Sequence, residues 1–141
     1  MCLAVVDCNE YTAAMNTAFQ DIPGTYVFTG DRAIEGRYLN RFCMSLMSPA
    51  NRVRFKADER AYLDEWQMTE SQKQAVLKRD FKALLEQGGN IFFVLKIAAV
   101  DGRPTQSVAA SFAGQTTEEY AAMMRSGGRN PVGLRSISGR F

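Results

Sequence analysis

The chain contains no histidine. Histidine is the usual transition-metal ligand and the side chain whose pKa suits proton transfer near neutrality, so a His-and-carboxylate iron site, a His-ligated zinc site and any triad with a His base are excluded. Cysteine is sparse: Cys2, Cys8 and Cys43 are odd in number and form no CxxC pair. Neither a disulfide framework nor a zinc knuckle follows from them, and a reducing cytoplasm is the expected setting. Long apolar runs are missing too. The longest, Ile91 to Val100, is interrupted by Lys96 and falls far short of the ~20 residues a membrane helix needs. The opening Met1 to Val6 lacks the basic n-region of a secretion signal and is closed by Asp7, so no export is expected. The glycine pairs Gly88-Gly89 and Gly127-Gly128 lack the lysine and preceding strand of a phosphate loop and read as helix stops.

With 141 residues, 46% hydrophobic and 23% charged, the chain is long enough for one packed domain and too apolar for wholesale disorder. The net charge of +2 is unevenly spread. Residues 125 to 141 carry Arg125, Arg129, Arg135 and Arg140 and no acid, which makes a tail of +4 on a body of −2. Such a tail is either a solvated terminus or a surface for an anion or acidic partner.

Periodicity and capping signals point to helices. A first helix is expected from about Asn9 to Phe19, ended by Asp21-Ile22-Pro23-Gly24. Tyr26-Val27-Phe28 reads as a brief extended piece before Thr29, which can cap a second helix with Asp31 in its first turn. In that helix Leu39, Phe42, Cys43 and Leu46 form one apolar stripe. Ser48-Pro49 then starts a helix through Trp66, with Val53, Phe55, Ala57, Tyr62 and Leu63 among many charges. Thr69 and Gln72 make a capping box for a helix that places Leu77, Phe81, Leu84 and Leu85 together and stops at Gly88. Asn90 to Val100 is expected as a buried helix, Pro104 and Thr105 open another through Phe112, and Thr116 with Glu119 caps a last one with Tyr120, Met123 and Met124 on one face. The fold class is therefore all-α: an irregular multihelical single domain over residues 1–141 with six or seven short helices and almost no sheet. Its N-terminal arm is residues 1–20 and its irregular basic tail residues 129–141.

Chemistry-bearing clusters are few. Glu118-Glu119 sits in a first helical turn, where negative charge is favoured, and adjacent helical residues point about 100° apart, so capping explains them. Asp58, Glu59, Asp64 and Glu65 are interleaved with basic residues, as on an exposed helix, rather than gathered as metal ligands. Cys43 lies on an apolar stripe with no base and reads as a small core hydrophobe. Thr105 to Tyr120 has helix-turn-helix spacing, but its second helix begins with two glutamates and has no Arg or Lys before Arg125, the wrong charge for phosphates. No nucleic-acid or membrane partner is expected.

Several longer blocks stand in a familiar order: Asp21 to Thr25, Tyr38 to Met47, Asn51-Arg52, Arg54 to Glu59, Ala61 to Trp66, Gly88 to Asn90 and Gly127 to Arg129. Together they resemble the small α subunit of protocatechuate 4,5-dioxygenase, of the extradiol aromatic-ring-opening dioxygenases. The resemblance implies a multihelical chain that joins a catalytic β subunit in an α2β2 assembly. It further implies that Fe(II) is bound by that partner, that a catecholic acid and O2 are the substrates, and that this chain covers and shapes the active site without binding metal or supplying a catalytic residue. Gallate is an alternative to protocatechuate. Loops carry such contacts, so the substrate-lid candidates are Ile22, Pro23, Asp101, Gly102, Thr105 and Gln106, and the partner-binding candidates are Arg129, Arg135, Arg140 and Phe141. The family often has an aromatic residue soon after the Asp-Gly turn, where this chain has Thr105, which leaves the exact acid open. The competing expectation is a helical interaction or regulatory module without a catalytic role.

Overall fold

The structure, a computed structural model, describes residues 26–128, and among them nine α-helices and no strand. They are α1 (Gly30–Glu35), α2 (Arg37–Ser45), α3 (Pro49–Ala57), α4 (Glu59–Asp64), α5 (Glu70–Leu77), α6 (Phe81–Glu86), α7 (Ile91–Val100), α8 (Thr105–Ala113) and α9 (Thr117–Arg125). The expected helix from Asn9 to Phe19 lies outside the described residues.

The all-α class holds, while the number of helices exceeds the six or seven expected because three of the expected helices are each broken in two. α1 and α2 part at Gly36, which passes so close to Gly88 that no side chain fits there. α3 and α4 part at Asp58, which is extended (φ −153°, ψ 95°) and turns its carboxylate to accept the Ala61 N–H at 2.9 Å. The carboxylate thus competes with the helical backbone for a donor and starts a new helix. α5 and α6 part at Lys78 to Asp80, where Arg79 adopts φ +54° and Asp80 caps α6 through the Ala83 N–H at 3.0 Å.

Three of the side-chain caps expected from the sequence form. Thr29 accepts from Arg32, and both capping boxes are complete: Thr69 with Gln72, and Thr116 with Glu119. Pro49 occupies the start of α3, although the Ser48 side chain makes no capping bond. Asn90 caps α7 by accepting the Phe92 N–H at 3.0 Å.

The core forms around α2. Its stripe, Leu39, Phe42, Cys43 and Leu46, is buried and packs with Phe55, Tyr62, Leu63, Val76, Leu84, Val94 and Ile97. Phe42 meets Phe55 edge-on at a centroid separation of 5.4 Å and Trp66 at 6.2 Å, and Phe55 meets Tyr62 at 5.9 Å. These are favoured aromatic geometries, and the break at Asp58 allows rings from both α3 and α4 to reach Phe42. Full burial of Phe42 and Phe55 contributes about 2–3 kcal/mol each relative to exposure. Val53, one of the apolar residues interleaved with charges in this stretch, is 70% exposed.

One polar side chain ties the two ends of this core together. Asn40, buried on α2, donates from Nδ2 to the Gly88 carbonyl at 3.0 Å and accepts the Asn90 N–H on Oδ1 at 2.8 Å. The loop between α6 and α7 is thereby fixed against α2, and with it the start of α7.

Candidate functional site

Two surfaces stand at opposite ends of α7, roughly 15 Å apart at 1.5 Å rise per residue. The first is the turn at its C-terminus. Asp101 ends α7, Gly102 follows at φ +68°, and the Arg103 N–H returns to the Ala98 carbonyl at 2.9 Å, a left-handed helix stop. Pro104 leads into α8, whose first residues Thr105 and Gln106 are exposed. Asp101 itself faces inward: Arg79 donates from Nε to Oδ2 at 2.6 Å and from Nη2 to Oδ1 at 3.1 Å. The Arg79 guanidinium holds the Asp101 carboxyl below the usual range, against a smaller opposing effect of burial. Of the loop residues named from sequence, Gly102, Thr105 and Gln106 are thus open to a ligand or partner, and the Asp101 carboxylate is engaged inside the molecule.

The second surface is an apolar groove of about 630 Å³ at the N-terminal end of α7. Tyr26, Val27, Phe28, Ile91, Phe92 and Phe112 are among the residues that line it. Phe92 is 73% exposed. Residues 26–28 before Thr29 are non-helical, and the expectation that the whole 90–100 segment is buried holds only for the stripe of Val94, Ile97 and Ala98. A helix whose one charged residue is Lys96 gives little sequence signal for which face meets the core and which is left for a partner. On the far side of Phe112, a second groove of about 550 Å³ runs between α8 and α9, lined by Tyr120, Met123 and Met124.

Ile22, Pro23, Arg129, Arg135, Arg140 and Phe141 lie outside the described residues. Of the acidic residues between Asp58 and Glu65, only Asp64 has a basic partner at the three- or four-residue spacing expected, and the others are engaged at other separations. Asp58 caps α4, Glu59 pairs with Arg79, Asp64 with Arg60 at 2.9 Å and Lys73 at 2.7 Å, and Glu65 with Arg54 at 2.6 Å. Among the described residues, no three His, Cys, Asp or Glu converge as a metal-binding group. Burial pushes the Cys43 thiol far up, well away from the thiolate a nucleophile or metal ligand requires. Glu119 completes its capping box, and the Thr116 backbone N–H holds its carboxyl low. The donor set therefore does not fit a non-haem iron: the chain has no imidazole at all, and the described carboxylates of its acidic helix are spent on caps and ion pairs. No described helix is long and apolar enough to cross a membrane.

Among the described residues the domain is helical, with exposed apolar grooves and an exterior turn, and gathers no three metal-ligating side chains. Residues 39–125 match the family model of the aromatic-ring-opening dioxygenase LigAB, LigA subunit, and the chain belongs to that family. It is also similar to gallate dioxygenase of Pseudomonas putida strain KT2440, at 32% identity over 102 residues. That match covers 72% of this chain but only 30% of the enzyme, so the chain spans less than a third of its relative's length.

Proposed function

We propose that this chain is the non-catalytic small subunit of a ring-opening dioxygenase acting on protocatechuate or a related catecholic acid such as gallate. In this reading a larger catalytic subunit holds Fe(II) and joins this chain in an α2β2 assembly in the cytoplasm. The observation that carries the reading is the match of residues 39–125 to the small-subunit family. The absence of histidine agrees with it, because a facial set of two imidazoles and one carboxylate cannot be built here. So does the similarity to about a third of gallate dioxygenase, which leaves most of that enzyme's length outside what this chain resembles.

This chain's own contribution is to cover the site. The apolar groove beside Phe92 supplies burial area for the partner, and the turn bearing Gly102, Thr105 and Gln106 covers the aromatic acid, with Ile22 and Pro23 as a second contact. Arg129, Arg135, Arg140 and Phe141 dock on the partner. Covering the site excludes water and holds the acid in reacting geometry. Thr105 brings a small polar side chain to that wall, which leaves room for an additional ring hydroxyl and makes gallate a substrate to test beside protocatechuate.

Co-expression with a catalytic subunit tests the reading. A stable complex that contains iron and opens protocatechuate or gallate supports it. Persistent failure to associate favours the alternative, a helical interaction module without a catalytic role.

A further inference from the structure

Arg79 is the one non-glycine at positive φ among the described residues, and its guanidinium uses every donor it has. The Nε–H and one Nη2–H go to the two oxygens of Asp101, while Nη1 and the remaining Nη2 hydrogen go to the two oxygens of Glu59. The last Nη1–H reaches the Val76 carbonyl at 2.7 Å. Five donors meet five acceptor contacts in a fork that lysine cannot reproduce. The group sits against the Phe55 ring at 5.6 Å, with its side chain only 16% exposed, so the two carboxylates are held in partial shelter from water. Two residues beyond Arg79, the Phe81 ring receives the Arg103 guanidinium at 5.6 Å. The α5–α6 turn therefore grips the α7–α8 turn at both Asp101 and Arg103.

We propose that Arg79 is the positioning residue for the segment from Gly102 to Gln106, fixing it as a preformed wall rather than a flap that closes over the substrate. The assignment rests on the reading that this segment faces the aromatic acid. A left-handed residue that is not glycine is disfavoured for the backbone, and here the arginine gives the turn a function glycine lacks: it reaches across to the substrate-side segment. Arg79 touches no substrate, and its influence passes through Asp101.

The test uses the assembled complex with Arg79→Gly, which suits the backbone of the turn and deletes the grip, and with Arg79→Lys, which keeps the charge without the fork. Two readouts are taken: amide hydrogen exchange along this chain, and kcat and KM for protocatechuate and gallate. The assignment expects faster exchange confined to residues 102–107 and a KM raised about tenfold with kcat little changed in Arg79→Gly, with no rescue by lysine. Unchanged exchange across 102–107 overturns the role of Arg79. Faster exchange there with an unchanged KM instead overturns the substrate-facing reading on which the assignment rests. If Arg79→Gly does not assemble, Asp101→Asn leaves the Glu59 contacts in place and is held to the same outcomes.

Discussion

Gly36 and Gly88 meet backbone to backbone: a methyl group on Gly36 would lie 1.9 Å from the Gly88 carbonyl oxygen, and one on Gly88 would lie 2.5 Å from the Arg32 carbonyl oxygen. The contact joins the kink between α1 and α2 to the loop that sets the start of α7. Because the obstructing atoms are main-chain, no rotamer change relieves the clash. Gly36→Ala is expected to lower stability by roughly 3 kcal/mol. Gly102→Ala provides the contrast: its φ is +68° and a methyl there meets nothing within 4 Å, so only the backbone penalty of about 1 kcal/mol applies. Urea unfolding followed by circular dichroism measures both, and equal losses would show that the close approach is not what limits position 36.

Asn40 is the polar counterpart of that contact. Asn40→Ala leaves the Gly88 carbonyl and the Asn90 N–H without their partner in a buried position, at a cost of about 2–3 kcal/mol. Asn40→Asp keeps the acceptor for Asn90 but turns a carboxylate toward the Gly88 carbonyl. It should therefore be no more stable than the alanine variant at pH 7 and recover part of the loss in acid, where protonation restores a donor. The same unfolding measurement at pH 7 and pH 5 checks the order.

Stability should be flat near neutrality, since no histidine is present to titrate there. Arg60 and then Lys73 hold the Asp64 carboxyl low, Arg60 and then Gln74 bring Glu70 to about 2, and Arg79 lowers Asp101. A carboxyl whose pKa is lower in the folded than in the unfolded chain stabilises fully above its unfolded value, about 4, and loses that contribution as pH falls through its folded value. The urea midpoint is expected to hold from pH 5.5 to 7.5 and to decline below about pH 4. A midpoint that rises on acidification would contradict these ion pairs.

Cys43 is fully buried beside Phe42 and its thiol is pushed far above the ordinary range by burial. Iodoacetamide at pH 8 should leave Cys43 unlabelled in the folded chain and label it after unfolding in urea, as read by mass spectrometry of the peptide that contains it. Labelling in the native state would place Cys43 outside the core.

Much of the fold is legible in the sequence where the determinants are local. Thr69 with Gln72 and Thr116 with Glu119 mark helix starts because each pair satisfies donors within one turn, and the stripe from Leu39 to Leu46 marks the core because its spacing repeats along one helix. The breaks are less legible for distinct reasons. Gly36 is a kink because of Gly88, far along the chain. Arg79 takes a left-handed conformation that its own residue type disfavours, so only its distant partners Glu59 and Asp101 make sense of it. Asp58 and Asp80 carried local signals, each a capping residue inside a charged run. At the candidate site, the Asp101-Gly102 turn was visible as a turn, while the inward direction of Asp101 depended on Arg79. The exposure of Ile91 and Phe92 left no mark in a segment that is apolar except at Lys96.

The proposed division of labour between two polypeptides is tested most directly by ring opening of protocatechuate and gallate by an iron-loaded catalytic subunit with and without this chain. The expected result is a kcat/KM for at least one of the two acids about tenfold or more higher with the chain present, equivalent to about 1.4 kcal/mol of transition-state stabilisation, and no turnover by this chain alone. Equal activity with and without it, or iron-dependent turnover by this chain by itself, would contradict that division.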